Sequence, residues 1–218
     1  MMTNFGLYLR SSGLVKFLVL NDLYLRIKTV PGAILEFGCW FGQNLVIFEN
    51  LRAIYEPFNK TRQIVGFDTF SGYTRPSTKD STGDLIFAEG NFGTTQNYGA
   101  YLARLLEIHE GNNVLGHIRG THKVVQGDVT KTAARFFRDH PEANVALAYL
   151  DMGLYEPTKA ALLAIKPHLL PGSVIVLDEF TWPSARGEAI AFREVFGTTG
   201  YKIEQSMFTP MRAIVTIH

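Results

Sequence analysis

Carboxylates recur in this chain directly after short apolar runs. They stand at five such places: Glu36, Asp68, Asp128, Asp151, and the pair Asp178 and Glu179. Scattered surface charge would not fall at these positions so consistently. When parallel strands form a sheet, their carboxyl ends meet at one edge, and ligands bind in the crevice beside that edge. The pattern therefore predicts an acidic binding site along one edge of a sheet.

Glu36 begins the segment Glu-Phe-Gly-Cys-Trp-Phe-Gly, which ends at Gly42. Gly38 and Gly42 allow the backbone to turn tightly and to approach a ligand closely. The segment lacks the middle glycine of the dinucleotide-binding fingerprint, which disfavours a pyrophosphate at the helix start. Its spacing favours a ligand that carries both a carboxylate and an ammonium group, and a purely structural turn is the alternative.

Asp68 and Asp128 are each open to two interpretations. Asp68 ends the second predicted strand, where an acid can accept hydrogen bonds from both hydroxyls of a ribose; alternatively, it caps the loop that follows. Asp128 can accept a hydrogen bond from an adenine amino group, or it can stabilise the start of a helix predicted over 131–139. Thr130 is a second candidate for the N-cap of that helix.

Asp151, Asp178 and Glu179 are expected to form a cation site. If their two strands are neighbours, Asp151 and Asp178 lie about 5 Å apart. Carboxylates that close repel each other unless one is protonated or a cation intervenes. Oxygen ligands favour magnesium, manganese or calcium over zinc. Glu179 can join Asp178 only if the strand ends between them, because successive strand residues point to opposite faces. Acids that are merely solvated at strand ends are the alternative.

The composition excludes several classes of partner. The 218-residue chain has 21 Lys and Arg residues against 20 Asp and Glu, and 46% of its residues are hydrophobic. This balance gives no support for a nucleic-acid or anionic-membrane partner, and no apolar run is long enough to span a bilayer. The single cysteine, Cys39, excludes an internal disulfide and a multi-cysteine zinc site. We expect one cytoplasmic domain over residues 1–218.

The elements that must position the acids alternate between strands and helices. Strands are predicted over 33–38, 63–68, 122–128, 145–151 and 173–179, with a final hairpin over 201–205 and 211–218. Helices are predicted over 13–29, 42–58, 96–110, 131–139, 156–170 and 184–196, and Pro171–Gly172 is expected to end the fifth helix. The alternation indicates an α/β fold with a mainly parallel sheet and helices on both faces. The hairpin adds one antiparallel strand.

Two segments stand apart from this alternation. Residues 1–30 are interpreted as an N-terminal helical extension. Residues 69–95 are rich in glycine, serine and threonine and predict a long loop, which in a compact domain usually has a function such as that of a lid. The aromatic residues of the loop favour an active-site lid over a disordered insertion; they are Phe70, Tyr73, Phe87 and Phe92.

These stretches together resemble the macrocin O-methyltransferase family, which consists of class I S-adenosylmethionine-dependent enzymes. The resemblance covers residues 34 to about 197 and includes ILEFGCWFGQNLVIFE, IVGFDTFSGY and VVQGDVTKT. Its most specific part is the run from Leu147 to Phe180. It implies a Rossmann-like methyltransferase fold with a seven-stranded sheet. It also implies methylation of a sugar hydroxyl, as in the branch that acts on nucleotide-linked deoxyhexoses or glycosylated natural products.

The resemblance also implies roles for individual residues. The predicted contacts of S-adenosylmethionine are Glu36, Phe37, Gly38, Gly42, Asp68, Thr69, Phe70, Gly127 and Asp128. A divalent metal, usually magnesium, would bind Asp151, Asp178 and Glu179, and we expect Asp151 to act as the general base as well. Family members often read D-x-D-L-Y-E-x-T after the fourth strand, but Gly153 replaces the second Asp here. This change removes one candidate for the base.

Several alternatives stay open at this point. The acceptor could be a phenol or another non-sugar small molecule, or the chain could be an inactive homologue that still binds S-adenosylmethionine. A nicotinamide-dependent oxidoreductase is disfavoured by the missing middle glycine and by the C-terminal hairpin. Enzymes of this class often form dimers or larger assemblies, so we expect a homo-oligomer in which the apolar N-terminal helix supplies an interface.

Overall fold

The computed structural model describes residues 2–80 and 85–218, which form a seven-stranded sheet and six α-helices. The strands are β1 (Ala33–Phe37), β2 (Ile64–Asp68), β3 (Lys123–Gln126), β4 (Val145–Leu150), β5 (Leu169–Leu177), β6 (Tyr201–Gln205) and β7 (Ala213–Ile217). The α-helices are α1 (Ser11–Ile27), α2 (Gln43–Tyr55), α3 (Tyr98–Asn112), α4 (Val129–Asp139), α5 (Tyr155–Ile165) and α6 (Gly187–Phe196). Short 3₁₀ segments occur at Met2–Tyr8, Leu85–Phe87 and Lys166–His168.

The strand order in the sheet is β3-β2-β1-β4-β5-β7-β6. The first five strands run parallel, whereas β7 is antiparallel to both β5 and β6. The order therefore reverses between β1 and β4, and this reversal opens a crevice at their carboxyl ends. The predicted α/β fold, with its mainly parallel sheet and C-terminal hairpin, is confirmed.

Helix α1 is an integral cover of the sheet. Its buried residues are Val19, Leu20, Leu23, Tyr24 and Ile27, and they join the hydrophobic cluster that includes Val174 of β5. Leu14, Leu18 and Leu25 remain exposed on the other side. The apolar face of this helix is thus largely used within its own chain. Among the described residues, no helix combines the length and apolar character needed to cross a bilayer.

The start of β5 differs from the prediction. Pro171–Gly172 does not separate a helix from the next strand, because β5 already begins at Leu169. The register against β4 shifts within this stretch, as it does at a bulge. The Ser173 hydroxyl accepts a hydrogen bond from the Leu170 N–H (2.8 Å) and donates one to the Val145 carbonyl (2.6 Å). A proline is tolerated at a bulge because it has no N–H to donate to the ladder.

A buried ion pair holds α2 against α3 and β3. Arg52 donates to both carboxylate oxygens of Glu49, at 2.7 and 2.8 Å, and both residues are fully buried. His122 Nε2 and Asn113 Nδ2 lie 2.8 and 2.9 Å from the same carboxylate. Burial alone would raise the pKa of Glu49, but the bonds from Arg52, His122 and Asn113 outweigh it and lower the pKa to about 2. The carboxylate therefore stays charged in the folded protein.

We predict that Glu49→Gln lowers the free energy of unfolding at pH 7 by about 3–5 kcal/mol, because Arg52 would remain buried without its counter-charge. Urea unfolding measures this change. Since the folded pKa lies below the unfolded value of about 4.3, the difference is complete above about pH 5. It shrinks as the pH falls towards 2, where Glu49 becomes protonated.

Glu107→Gln is the matched control. Glu107 also pairs with an arginine three residues away, Arg104, but both side chains are exposed. Its replacement should change the free energy of unfolding by less than about 1 kcal/mol. Equal losses in the two variants would contradict a special contribution from the buried pair.

Candidate active site

A cavity of about 320 Å³ occupies the crevice at the carboxyl edge of the sheet. Four of the predicted acids line it together with two other predicted site residues: Asp68, Asp128, Asp151, Glu179, Gly38 and Thr69. These residues follow five different strands of the parallel part of the sheet. The fold therefore brings together at one site carboxylates that are far apart in the sequence.

Gly38 lies where β1 and β4 separate. Its φ is +84°, and a Cβ at this position would lie 2.1 Å from the carbonyl oxygen of Asp151. Only glycine fits this contact without a shift of the backbone. The preceding residue, Phe37, is fully buried and stacks on Phe67 with ring centroids 4.6 Å apart. Its side chain thus packs in the core, so that only its backbone is left for a ligand.

Glu36 is a buried carboxylate with one free oxygen. Its side chain is 2% exposed, and Oε1 accepts a hydrogen bond from Asn44 Nδ2 at 2.6 Å. Among the described residues, Oε2 has no hydrogen-bond partner. Burial raises the pKa of Glu36 well above its ordinary value, and the negative charge of Asp151 adds to this effect. A cationic group such as an ammonium would supply the missing partner.

Asp68 organises the loops that follow β1 and β2. Oδ2 accepts a hydrogen bond from the Trp40 N–H at 2.7 Å, and Oδ1 accepts one from the Phe70 N–H at 2.6 Å. Trp40 and Phe70 both have left-handed backbones, with φ of +47° and +56°, which these bonds help to hold. Each carboxylate oxygen can accept more than one bond. Asp68 therefore caps its loop, as the alternative interpretation held, and can still accept bonds from a ligand.

Asp128 is the N-cap of α4. Its Oδ1 accepts hydrogen bonds from the backbone N–H and the hydroxyl of Thr130, at 2.9 and 2.7 Å. The prediction of Thr130 as the cap is wrong, and α4 begins two residues earlier than expected, at Val129. The reason is that Asp128 already has the extended backbone of an N-cap residue. Gly127 donates its N–H to the Asp68 carbonyl at 2.8 Å and so ties the ends of β2 and β3 together.

Two further predicted residues lie beside the cavity rather than on its wall. Gly42 is the left-handed N-cap of α2, where a Cβ would lie 2.3 Å from Leu102 of α3. Phe70 is 5% exposed and packs near Tyr98. Neither is among the described residues that line the cavity. Both shape the loops that do.

Asp151, Asp178 and Glu179 come together as predicted. Leu150 of β4 lies beside Leu177 of β5, so the acids that follow these two residues are neighbours. Each of the three acids offers a carboxylate oxygen within 4.8 Å of the others. Strand β5 ends at Leu177, which releases Asp178 and Glu179 from strict alternation and allows both to face the same point.

Asp178 is held by two donors that its sequence neighbourhood does not reveal. Tyr149 donates its hydroxyl to Oδ1 at 2.5 Å, and Arg212 donates Nε to the same oxygen at 2.6 Å. Arg212 stands just before β7, so the C-terminal hairpin delivers a cation to the acidic cluster. Both donors meet at Oδ1, so that, as far as the described residues show, Oδ2 is left for another ligand.

Glu188 is a further buried acid that the sequence patterns did not indicate. It lies in the first turn of α6 and is fully buried. Its Oε1 accepts hydrogen bonds from the N–H groups of Gly153 (3.1 Å) and Met152 (3.3 Å), and Oε2 accepts one from Glu179 (3.2 Å). It therefore ties together the loops that follow β4 and β5. Burial, together with the charge of Asp178, raises the pKa of Glu188 to about 7.

The acidic cluster fits a divalent cation. Among the described residues, Oε2 of Glu179 is buried without a hydrogen-bond partner. Burial and the charges of Glu188 and Asp151 raise the pKa of Glu179 to about 11, and burial with the charges of Asp178 and Glu188 raises the pKa of Asp151 well above its ordinary value. A cation among these carboxylates would relieve both the repulsion and the missing contact. Three oxygen ligands of this kind suit magnesium, manganese or calcium.

Aromatic side chains form the wall that faces the acids. They come mostly from the predicted loop over 69–95 and are Tyr73, Phe87, Phe92, Trp40 and Trp182. Backbone hydrogen bonds from Tyr73 to Asn91 and from Gly90 to Tyr73, both 2.9 Å, fold this loop back on itself. Residues 81–84, which include Gly83, lie outside the described residues. The described part of the loop covers the cavity, as a lid would.

Comparison with known proteins identifies the family. Residues 35–180 match the family model described as a methyltransferase domain. The chain belongs to this methyltransferase family. The crystal structure of CalS11, calicheamicin methyltransferase, is 39% identical with a TM-score of 0.93, and the match covers 99% of this chain and 83% of that one. The apo structure of CalS11, TDP-rhamnose 3'-O-methyltransferase, is 37% identical with a TM-score of 0.85, covering 99% and 84%.

A more distant relative comes from Streptomyces olivaceus. It is 8-demethyl-8-(2,3-dimethoxy-alpha-L-rhamnosyl)-tetracenomycin-C 4'-O-methyltransferase, 24% identical over 179 residues. The match covers 77% of this chain and 60% of the relative, so the chain spans less than two thirds of that protein's length. The family and the fold inferred from the sequence motifs are both confirmed.

The replacement of an acid by Gly153 has a structural counterpart in this methyltransferase. Gly153 has a φ of +63°, and a Cβ there would lie 2.5 Å from Cε1 of Phe87. Phe87 is 4% exposed and packs with Leu154 and Ala185. The ring therefore occupies the space that a side chain at position 153 would need. The position of Phe87 in the loop therefore requires a glycine at position 153.

We predict that Gly153→Asp does not supply an extra base but lowers the free energy of unfolding by about 2–4 kcal/mol, through backbone strain and displacement of Phe87. Chemical unfolding measures the loss. Gly120→Asp is the control, because Gly120 also has a positive φ, of +78°, but no neighbour within 4 Å of the added Cβ. This control should lose stability only through backbone strain. The double variant Gly153→Asp with Phe87→Ala should separate the effect of the Phe87 contact from that of backbone strain. Equal losses of stability in the two single glycine variants would contradict the role of Phe87.

Proposed function

We propose that this methyltransferase transfers the methyl group of S-adenosylmethionine to a sugar hydroxyl, on a nucleotide-linked deoxyhexose or a glycosylated natural product. The observation that carries the proposal is the acidic cluster of Asp151, Asp178 and Glu179, two of which, Asp151 and Glu179, line the same cavity as four predicted cofactor residues: Gly38, Asp68, Thr69 and Asp128. The similarity to CalS11, whose structure is named as that of a TDP-rhamnose 3'-O-methyltransferase, supports a sugar as the acceptor.

The acids around the cavity suit a cationic cofactor. Bound S-adenosylmethionine supplies a methyl group that is activated by a positive sulfonium. Glu36, with its free buried oxygen, would bind the ammonium of the methionine part. Asp68 would accept hydrogen bonds from the ribose, and Asp128 would lie beside the adenine. Gly38 would allow the backbone to approach the cofactor closely.

The opposite part of the cavity would bind the acceptor. Asp151, Asp178 and Glu179 would hold a divalent cation, such as magnesium, which when bound lowers the pKa of a hydroxyl that contacts it. Arg212 and Tyr149 fix the orientation of Asp178. The aromatic wall limits the access of water and offers flat apolar surfaces to the C–H groups of a sugar ring.

Asp151 would take the proton of the acceptor hydroxyl. It lines the cavity, and Gly38 packs directly on its backbone at the cofactor end. Burial and the charges of Asp178 and Glu188 raise its pKa, and the positive charges of a bound metal and of the sulfonium would lower it again and leave Asp151 ionised to accept the proton. Gly153 offers no second carboxylate, so Asp151 would serve as both metal ligand and base.

We predict that Asp151→Asn lowers kcat by about a hundredfold or more, because the amide cannot accept the proton. The dissociation constant for S-adenosylhomocysteine, measured by calorimetry, should change by less than about threefold, since other residues hold the cofactor. Asp139→Asn is the control, because Asp139 is exposed at the end of α4 and, among the described residues, pairs only with exposed Arg138. Turnover retained in Asp151→Asn would refute the role of Asp151.

The acceptor class is tested by a screen with mass detection. TDP-rhamnose, other nucleotide sugars and simple catechols are each incubated with S-adenosylmethionine and magnesium, with and without a chelator. We expect a sugar to gain one methyl group and the chelator to stop the reaction. Methylation of catechols alone would favour a non-sugar acceptor. Binding of S-adenosylhomocysteine without turnover of any acceptor or with any metal would favour an inactive homologue.

A further inference from the structure

The described lining of the cavity contains one cationic side chain. Among the described residues that line it, Lys16 is the single lysine or arginine, set against the four acids. Lys16 comes from α1, which lies outside residues 35–180, the part of the chain that matches the family model. The N-terminal helix thus brings to the lining a positive charge from outside the matched segment.

Lys16 is available for a ligand. Its side chain is partly exposed, and it also lines a smaller cavity of about 180 Å³ beside Tyr149 and Arg212. Within the described part of the chain, no acid lies within ion-pair distance of Lys16. Lys16 lines the same cavity as Gly38 and Asp151.

The charges near Gly38 match the amino-acid end of the cofactor. That end carries an ammonium and a carboxylate on one carbon atom. Glu36 has a buried carboxylate oxygen without a partner, which suits the ammonium. The carboxylate would be repelled by the acids of the cavity unless a cation lay beside it. Lys16 is the cation in the lining that can meet this need.

We propose that Lys16 binds the carboxylate of the methionine part of S-adenosylmethionine while Glu36 binds the ammonium, so that the N-terminal helix completes the cofactor site. This inference rests on the proposed function. A phosphate group of the acceptor is the other anion that could reach this lysine, and the first N–H groups of α2 are another place where the carboxylate could bind.

The test compares two ligands by calorimetry. S-adenosylhomocysteine has the carboxylate, whereas its decarboxylated analogue keeps the amine and lacks only that group. Lys16→Met should weaken binding of S-adenosylhomocysteine by about tenfold to a hundredfold, the usual effect of a lost charge-assisted hydrogen bond. It should change binding of the decarboxylated analogue by less than about twofold. Lys16→Arg should restore most of the affinity.

Lys28→Met is the matched control. Lys28 is the exposed C-cap residue of α1, so this variant removes a positive charge from the same helix at a distance from the cavity. It should leave both affinities unchanged. If Lys16→Met does not fold, as judged by its melting curve, Lys16→Gln takes its place.

Three outcomes would overturn the inference. Unchanged binding of S-adenosylhomocysteine in Lys16→Met would place the carboxylate elsewhere, such as at the start of α2. Equal weakening of both ligands would indicate a general effect on the cavity. A weaker affinity for TDP-rhamnose alone would assign Lys16 to the acceptor phosphates. Failure of the unaltered protein to bind S-adenosylhomocysteine would instead refute the proposed function itself.

Discussion

Mutual repulsion of buried carboxyl groups is the constraint on which this site depends. Five acids converge where β1, β4 and β5 end: Glu36, Glu179 and Glu188 are buried, and Asp151 and Asp178 are partly buried. Burial strengthens the repulsion because little water remains to screen it. The repulsion is reduced in a different way at each of three acids. Glu188 accepts backbone N–H groups from two loops, Asp178 pairs with Arg212, and Glu179 has a pKa raised to about 11.

The groups that balance these charges come from the periphery of the fold. Arg212 belongs to the C-terminal hairpin and Lys16 to α1, while Glu188 of α6, itself an acid, anchors two loops through their N–H groups. The central strands supply acids, whereas the outer elements supply the cations and the anchoring that keep those acids in place. The antiparallel hairpin and the N-terminal helix therefore do more than cover the sheet. Without them, the carboxylates at its edge would face one another with less compensation.

This division also explains what could be predicted from the sequence. An acid after an apolar run marks the end of a strand, so Asp151 and Asp178 were predictable, and so was their adjacency once the sheet was recognised as parallel. The contact of Arg212 with Asp178 could not be predicted in this way, because 34 residues separate them in the sequence. The roles of Lys16 and Glu188 could not be predicted either, because helical periodicity does not show what a single polar residue faces. The sequence also did not show which of two neighbouring residues, Asp128 or Thr130, caps α4. Nor did it show that β5 starts with a bulge.

The chain is nearly neutral as a whole, with 21 basic and 20 acidic residues, yet its cavity is strongly acidic. Such a cavity favours ligands of positive charge, and the sulfonium of the proposed cofactor and a divalent metal both qualify. Positive charge beside a carboxyl group lowers its pKa. Each cationic ligand would therefore drive Asp151 towards the ionised form that a base requires. In the proposed reaction, the charges that bind cofactor and metal would also prepare the proton acceptor, so binding and chemistry would depend on the same electrostatic balance.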